Sequence, residues 1–177
     1  MKNILLTLFA TLLISITVQG QDKEKVKWHS VNDLEKLLAE SPRPIFIDAY
    51  TDWCGWCKKL DSDTFSNPVI AKYLNENFYP VKFDAESKEP VNFLGREFVN
   101  DGKSGRTHNL AVALLQIEGR ISYPTVVFLN ENGELLAPVP GYKGAKDFEP
   151  LIVYFAEKRY MTEKFDAFLA SFKGKVE

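Results

Sequence analysis

The chain has 177 residues, of which 45% are hydrophobic and 26% are charged, and its formal net charge is −2. This length supports one domain with a sizeable core but is short for two ordinary domains. The small net charge gives no reason to expect a nucleic acid or an anionic membrane as a partner.

The first 20 residues differ in composition from the rest of the chain. Lys2 is followed by an apolar run from Ile4 to Val18, and small residues stand one and three positions before Gln21. This pattern predicts a secretory signal peptide over residues 1–20, cleaved before Gln21. The apolar run has about 15 residues, fewer than the ~20 that span a bilayer comfortably, so an uncleaved anchor is the less favoured alternative. We therefore expect export to the periplasm or another extracytoplasmic compartment, without stable membrane insertion of the mature chain.

The sequence after the signal peptide predicts two parts. Residues 21–43 are expected to form a polar N-terminal segment and a first helix, for which Ser30 is a candidate N-cap. Residues 44–177 are expected to form one α/β domain. This domain is predicted to carry an insertion at residues 85–107 and an extra helix at residues 162–172.

Helical and strand patterns alternate along the chain. The predicted helices cover residues 31–40, 58–64 (continuing a helix that the cysteines open), 68–77, 109–117, 145–159 and 162–172, and the predicted strands cover residues 45–50, 78–84, 126–129 and 134–139. The run from 45 to 50 is apolar apart from Asp48, as in a central strand that is covered on both faces. Gly95 is the centre of a predicted small hairpin. Pro150 is expected to bend the closing helix or to begin a new segment.

The chain contains two cysteines, and both lie in the motif Trp53-Cys54-Gly55-Trp56-Cys57-Lys58, directly after the first predicted strand. A strand that leads into a C-x-x-C pair at a helix start is the arrangement of a dithiol redox site. Unpaired N–H groups and the helix dipole stabilise a thiolate on the first cysteine, and the thiolate is the reactive species. We therefore expect Cys54 to be the nucleophile and Cys57 to be the resolving thiol, which attacks the mixed disulfide formed on Cys54.

Two other interpretations of the cysteine pair are less favoured. A structural disulfide across a two-residue loop gains little, because the stabilisation by a disulfide grows with the length of the loop that it closes. A zinc site commonly needs four ligands, and His29 and His108, the two histidines of the chain, lack metal-ligand spacing to the cysteines. We therefore expect neither a metal nor a cofactor.

The segment Ile45–Lys58 resembles the active-site segment of the thioredoxin superfamily, which has a hydrophobic strand, an aspartate six residues before the first cysteine, and then W-C-x-x-C-K. Val81–Asp84 resembles the next strand of that family, and Ser122–Thr125 resembles its cis-proline loop. The likeness covers roughly residues 44–157 and is to extracytoplasmic thioredoxin-like proteins of bacteria, relatives of the Dsb-type thiol:disulfide enzymes. It implies a thioredoxin-like α/β fold with a central mixed β-sheet flanked by helices.

The resemblance also implies roles for individual residues. Asp48 lies on a strand predicted to be buried, which should raise the pKa of its carboxyl group, and the family uses this position to accept and return the proton of Cys57. A strand-end aspartate bonded to backbone is the alternative. Lys82 matches the lysine that accompanies this aspartate, with a solvated strand lysine as its alternative. Cys54 is expected to have the more exposed sulfur of the pair.

Four further residues are predicted to contact substrate. The resemblance implies a cis peptide bond before Pro124, in a loop that lies against Cys54, where the Tyr123 backbone can pair with an extended substrate segment. Trp53 and Trp56 are expected to form an apolar rim around the cysteines.

The sequence therefore predicts a thiol:disulfide oxidoreductase whose partners are protein disulfides or dithiols and a redox partner, for which a membrane electron donor is one candidate. We expect the reductive or isomerising direction, because the motif is more similar to thioredoxin than to strong oxidants. The alternative is a non-catalytic module that uses the thioredoxin fold to hold a partner. The insertion, residues 85–107, is either a surface elaboration or a partner-recognition flap with Phe93 and Phe98 as contacts.

Overall fold

A four-stranded mixed β-sheet forms the centre of the molecule in the computed structural model, which describes residues 24–176. The strands are β1 (Ile45–Tyr50), β2 (Tyr79–Asp84), β3 (Val91–Phe93), β4 (Arg96–Phe98), β5 (Thr125–Leu129) and β6 (Leu135–Pro140). The sheet has the order β2-β1-β5-β6. β1 pairs in parallel with β2 and antiparallel with β5, and β5 pairs antiparallel with β6. The predicted mixed sheet is confirmed.

Helices cover both faces of this sheet. Within the described residues the α-helices are α1 (Leu34–Glu40), α2 (Gly55–Leu60), α3 (Pro68–Asn77), α4 (Asn109–Leu115), α5 (Ala145–Ala156) and α6 (Phe165–Ser171). Apolar side chains of α1 and α4 pack on one face, and those of α2, α3, α5 and α6 pack on the other. The core is therefore split into two clusters, with β1 buried between them.

Alternation along β1 decides which residues face the active-site helix. Successive side chains of a strand point to opposite faces of a sheet, so Ile45 and Ile47 join the cluster under α1 and α4, whereas Phe46 joins the cluster under α2, α3 and α5. Asp48 lies two residues after Phe46, so its side chain points to the same face of the sheet, which is the face covered by α2, the active-site helix. The parallel register pairs Asp48 with Lys82 on β2.

The active-site helix is interrupted where the sequence predicts a break. α2 continues into a π-helical turn, Asp61–Phe65, and a new helix, α3, starts at Pro68. The Asn67 side chain caps α3 by accepting the N–H of Val69 at 2.9 Å. Proline is well suited to the first turn of a helix, where its missing N–H has no partner to lose. The predicted restart is confirmed.

The predicted hairpin around Gly95 is confirmed as β3 and β4. Its turn is made by Leu94 and Gly95, whose φ angles are 52° and 78°. Two consecutive left-handed residues are typical of a tight two-residue hairpin, and glycine adopts this conformation without steric cost. Phe93 and Phe98 are half-buried and pack against the hydrophobic core. This placement favours a packed elaboration of the fold over direct partner contact for these two rings.

Several helix ends differ from the predictions. α4 ends at Leu115 and α5 ends at Ala156, two and three residues before their predicted ends. Lys158 adopts a left-handed φ of 54°, which stops the helix shortly after Ala156. A 3₁₀ turn, Arg159–Met161, then leads into α6, which is shorter than the helix predicted over residues 162–172.

Pro150 lies inside α5, which continues through it as one helix, so the prediction of a new segment is wrong. A proline inside a helix removes one backbone hydrogen bond and costs about 3 kcal/mol. The neighbouring apolar side chains offset this cost, because burying each of them contributes about 1.5–3 kcal/mol. The buried apolar side chains of α5 next to the proline are Phe148, Leu151, Ile152 and Phe155.

The C-terminal segment is fastened to α5 by the buried carboxylate of Glu149. This carboxylate accepts the N–H of Lys175 at 2.7 Å and the N–H of Val176 at 2.9 Å. The backbone of Gly174 passes so close that a Cβ atom there would lie 2.5 Å from the Glu149 carboxylate oxygen. Glycine at this position therefore permits the approach.

The N-terminal segment lies beside β2, where His29 forms a parallel bridge to Val81. The Asn75 side chain holds this segment by accepting the N–H of Lys27 and donating to the carbonyl of Lys25, both at 2.8 Å. None of the helices within residues 24–176 has the length and apolar character needed to cross a membrane. The predicted signal peptide lies outside the described residues.

Candidate active site

The two cysteines form a disulfide at the start of α2, with their Cα atoms 5.3 Å apart. Cys54 is the N-cap of the helix, and its Sγ accepts the backbone N–H of Cys57 at 3.0 Å. The carbonyl of Thr51 accepts the N–H of Cys54 at 3.1 Å, which fixes the turn between β1 and α2. The backbone N–H of Cys57, in the first turn of α2, therefore points towards the sulfur of Cys54.

Both cysteines are buried in this oxidised state. Cys54 is 4% exposed and Cys57 is 3% exposed, so the expected difference between the two is absent. The disulfide bond joins the two sulfurs, and the hydrogen bond from Cys57 turns the Cys54 sulfur towards the first turn of α2. The sulfur pair is therefore largely covered, whereas the neighbouring Trp53 and Trp56 are exposed.

Asp48 is a buried carboxylate on the face of β1 that α2 covers, with 1% of its surface exposed. The ammonium of Lys82 lies 2.9 Å from its Oδ2 atom. Neither carboxylate oxygen accepts a hydrogen bond of good geometry from residues 24–176, so this contact is an ion pair. Burial raises the pKa of Asp48, the attraction of Lys82 lowers it, and the net result is a pKa of about 6.

The ammonium of Lys82 lies between two carboxylates. It contacts Asp48 from β2 and also forms an ion pair with Asp61, one turn after Cys57 on the active-site helix. Three aromatic rings surround the same ammonium at 5.1–5.8 Å, those of Trp28, Tyr50 and Phe65. Burial lowers the pKa of Lys82, but attraction by the two carboxylates outweighs it and the net pKa is raised. The side chain is therefore a charged partner of Asp48, and the alternative of a solvated strand lysine does not fit.

Trp53 stands on one side of the disulfide and is 58% exposed. Its ring packs edge to face against Tyr123, with 5.9 Å between ring centroids. Its indole N–H donates to the Oε2 atom of Glu86 at 3.1 Å, and the guanidinium of Arg106 lies 6.0 Å from its ring centroid. Glu86 and Arg106 belong to the insertion, which therefore reaches the site through its two ends.

Trp56 stands between the cysteines and is equally exposed. Its ring lies 5.4 Å from the ring of Tyr142. The Tyr142 hydroxyl donates to Asp63 at 2.9 Å, and the ammonium of Lys59 donates to the same carboxylate at 2.5 Å. The hydrogen bond from Lys59, together with those from Ser62 and Tyr142, lowers the pKa of Asp63 to about 2. Each of these two tryptophans thus packs against a tyrosine, and an ion pair contacts Trp53 directly but reaches Trp56 only through Tyr142.

The loop before β5 completes this side of the site. The peptide bond between Tyr123 and Pro124 is cis. The Pro124 carbonyl accepts the N–H of Gly141 at 2.8 Å, and the Thr125 hydroxyl donates to the Ser122 carbonyl at 2.7 Å. These bonds fix the loop, and the Tyr123 ring contacts Trp53 directly before the cysteines.

Both histidines occupy structural positions in the fold. His108 is fully buried, and its Nδ1 atom accepts the N–H of Leu110 at 3.1 Å, which caps α4. His29 lies in the segment beside β2. Over the described range, no group of three or more His, Cys, Asp or Glu side chains could hold a metal ion.

The sequence did not single out four residues that shape the site: Asp61, Glu86, Arg106 and Tyr142. The sequence signal for Asp61 is weak and local, since it lies four residues after Cys57 on the same helix. The other three approach the tryptophans from distant parts of the chain. A polar side chain on a loop carries no mark of such a contact in sequence.

Comparison with known proteins identifies the family to which the chain is similar. A family model described as a thioredoxin-like domain matches residues 31–156. The chain is 26% identical over 129 residues to the thiol:disulfide interchange protein DsbD of Pectobacterium atrosepticum, in an alignment that covers 72% of this chain and only 19% of that protein.

Two solved structures share the fold. A thioredoxin from Thermus thermophilus has a TM-score of 0.54 at 13% identity, over 78% of this chain and 88% of that one. The DsbH oxidoreductase has a TM-score of 0.51 at 18% identity, over 76% and 85%. The resemblance inferred from the sequence is confirmed. The chain belongs to the thioredoxin-like domain family, and its cysteine pair has the arrangement of a thiol–disulfide oxidoreductase site.

Proposed function

We propose that this protein is an exported thiol:disulfide oxidoreductase that exchanges disulfides with extracytoplasmic proteins in the reductive or isomerising direction. The observation that carries the proposal is the hydrogen bond from the Cys57 N–H to the Cys54 sulfur at a helix start. In the reduced protein the same N–H group and helix end would stabilise a thiolate on Cys54. A thiolate formed there is the attacking species for disulfide exchange.

The reaction runs in two balanced steps. The Cys54 thiolate attacks one sulfur of a substrate disulfide, so the substrate S–S bond breaks, a mixed disulfide forms on Cys54, and one substrate thiolate leaves. The Cys57 thiolate then attacks the Cys54 sulfur, which releases the second substrate thiolate and re-forms the Cys54–Cys57 disulfide. Two electrons pass from the dithiol to the substrate, and the departing thiolates take up protons.

Asp48 is proposed as the group that removes the proton of the Cys57 thiol before the second step. A carboxyl group whose pKa is about 6 exchanges protons readily near neutral pH, whereas an ordinary aspartate is too weak a base. Lys82 is proposed to set this basicity, since its ammonium favours the charged carboxylate. Trp53, Trp56, Tyr123 and Pro124 are proposed as the substrate-contacting surface.

The proposed partners follow from the direction of electron flow. A protein that reduces substrates must have its disulfide reduced again by a separate redox partner, and a protein that isomerises them must be kept in the dithiol form by such a partner. A membrane electron donor is one candidate. The signal-peptide pattern of residues 1–20 supports an extracytoplasmic place of action. The name of the relative, thiol:disulfide interchange protein, supports the same reaction class.

The reduction potential of the Cys54/Cys57 pair tests this proposal. The full chain is equilibrated with defined ratios of reduced and oxidised glutathione, and its thiol content is measured. We expect a potential near roughly −270 mV, as for thioredoxin. A potential near about −120 mV is typical of a strong oxidant and would overturn the proposed direction. If no exchangeable couple is found, the protein is a non-catalytic binding module. A Cys57→Ser variant should accumulate mixed disulfides with substrates, and a Cys54→Ser variant should not.

A further inference from the structure

The insertion holds an exposed tryptophan of the site through one carboxylate. Both oxygens of Glu86 are used, because Oε2 accepts the indole N–H of Trp53 at 3.1 Å and Oε1 lies 3.2 Å from the Nε atom of Arg106. The Arg106 guanidinium in turn lies beside the Trp53 ring. These three side chains form a closed set of contacts next to Cys54, which we call the tryptophan clamp.

The backbone beneath the tryptophan clamp is fixed where the insertion joins the fold. The carbonyl of Ala85 accepts the N–H of His108 at 2.8 Å, which closes the base of the insertion. Above this bond the Asn100 side-chain amide donates to the carbonyl of Ser87 at 2.9 Å and to the carbonyl of Arg106 at 2.8 Å. One amide group thus ties the outgoing and returning arms together, directly beside the residues of the clamp.

Fixing Trp53 matters because an exposed aromatic ring is otherwise free to rotate. A partner that packs against a mobile side chain must first order it, at a cost of about 0.5–1.5 kcal/mol for each side chain immobilised. The clamp orders Trp53 before any partner arrives. A polypeptide that lies across the ring would benefit from this order, whereas a small disulfide that contacts the sulfur alone would not.

We propose that Glu86 and Arg106 are positioning residues that hold Trp53 as a fixed wall for polypeptide substrates, which gives the insertion a role in substrate selection. This inference rests on the proposed disulfide-exchange function. It identifies the favoured substrates as disulfides within polypeptides and not low-molecular-weight disulfides.

The test compares four variants with the wild-type full chain. Glu86→Ala removes both contacts of the carboxylate, and Glu86→Gln keeps an oxygen for the indole but loses the ion pair. Arg106→Ala removes the ion pair and the guanidinium beside the Trp53 ring, and it leaves the hydrogen bond between Glu86 and the indole. Because the Arg106 side chain is 72% exposed, its loss leaves the fold intact. The matched control is Glu131→Ala, which breaks an ion pair with Lys158 in the turn at the opposite end of β5.

Two readouts separate positioning from general damage. The first is solvent exchange of the Trp53 indole N–H by NMR, assigned among the three tryptophans with Trp53→Phe. The second is kcat/KM for insulin, a polypeptide disulfide, against kcat/KM for 2-hydroxyethyl disulfide, with dithiothreitol as reductant. We expect Glu86→Ala to speed the exchange and to lower kcat/KM for insulin about two- to tenfold, with no change for the small disulfide. Glu86→Gln and Arg106→Ala should have smaller effects in the same direction, and Glu131→Ala should have none.

Two sets of results would contradict the role of Glu86 and Arg106 or the function on which it rests. The inference would be overturned if kcat/KM fell equally for insulin and for 2-hydroxyethyl disulfide. It would also be overturned if the ratio of the two kcat/KM values were unchanged in Glu86→Ala and Arg106→Ala. If wild-type protein turns over neither disulfide, the proposed function fails and takes the substrate-selection role with it. Indole exchange distinguishes this case, because slow exchange that Glu86→Ala accelerates would still establish the clamp itself.

Discussion

The carboxylate of Asp48 and the ammonium of Lys82 lie 2.9 Å apart because the parallel register of β1 and β2 places the two residues side by side. Their effects on the carboxyl group oppose each other. Burial disfavours the charged carboxylate and the ammonium favours it, and burial is the larger effect. The carboxyl group is consequently poised to change charge near pH 6.

The poised carboxyl group should make the stability of the protein depend on pH. Because the pKa of Asp48 is raised in the fold, the protonated group stabilises the fold below its unfolded pKa of 3.8, and this stabilisation is lost as the pH rises through 6. Asp48→Asn stays neutral at every pH. We therefore compare the free energies of unfolding of the variant and of wild type. Their difference should change by about 3 kcal/mol in favour of the variant between pH 3 and pH 8. Urea unfolding of the oxidised proteins at both pH values measures this change, and exposed Asp166→Asn should show almost none. A pH-independent difference would contradict the raised pKa.

Removing the ammonium should raise the pKa of Asp48 further. Lys82→Met keeps the length of the side chain against the surrounding rings but deletes the charge that favours the carboxylate. We expect the midpoint of the Asp48 titration, followed by ¹³C NMR of its carboxyl carbon, to move above pH 6, and the variant to lose roughly 1–3 kcal/mol of stability at pH 8. Lys72→Met, which breaks an exposed ion pair with Glu76, is the control. An unchanged or lower midpoint would show that Lys82 does not set the charge of Asp48.

His108 should stabilise the fold as a neutral helix cap. Its loss in His108→Ala is expected to cost at least about 1 kcal/mol at pH 8, because α4 loses its N-cap and a buried side chain is deleted. His108→Asn keeps a capping oxygen and should cost less. Burial lowers the pKa of His108 in the fold, so below about pH 6.5 the unfolded chain takes up a proton that the buried ring does not, and wild type loses stability there. As the pH falls from 8 to 5, the free energy of unfolding measured in urea should therefore decrease more for wild type than for His108→Asn. A shift in favour of wild type would refute the neutral cap.

The Glu149 carboxylate should decide whether the C-terminal segment stays docked on α5. Glu149→Ala removes the acceptor for the N–H groups of Lys175 and Val176. We expect a loss of about 1–3 kcal/mol in the free energy of unfolding and faster hydrogen exchange at Val176. Glu163→Ala, which removes an exposed ion pair with Arg159, should leave the exchange at Val176 unchanged. Equal exchange rates in the two variants would mean that packing of the segment, and not the carboxylate, holds it.

Local patterns in the sequence were enough to predict the central strand, the helix start and the cysteine pair. Each depends on neighbours within about ten residues, such as the apolar run before Cys54. The family resemblance also indicated Lys82 as the partner of Asp48, but the second carboxylate beside Lys82 and the polar partner of Trp53 were not predicted. Asp61 lies 21 residues from Lys82, and Glu86 lies 33 residues from Trp53, so their contacts form only through the packing of the whole chain. A charged residue on a helix or loop looks the same in sequence whether or not it reaches the site.

Two expectations did not hold because tertiary structure outweighed a local rule. Pro150 was expected to bend the closing helix or to begin a new segment, but no new segment begins there, because the buried face of α5 carries the helix through the proline. Cys54 was expected to be more exposed than Cys57, but the disulfide and the hydrogen bond from Cys57 leave both sulfurs covered.

The alternation of side chains along β1 separates the parts of the chain whose length is fixed from those whose length can change. Adding or deleting one residue within β1 before Asp48 would turn that residue to the other face of the sheet and break the Phe46 core at the same time. The turn at residues 101–105 has no such constraint, because it lies outside the sheet and its residues are exposed. Evolution can therefore lengthen or shorten the protein within residues 101–105 while the spacing from Asp48 to Cys54 stays constant.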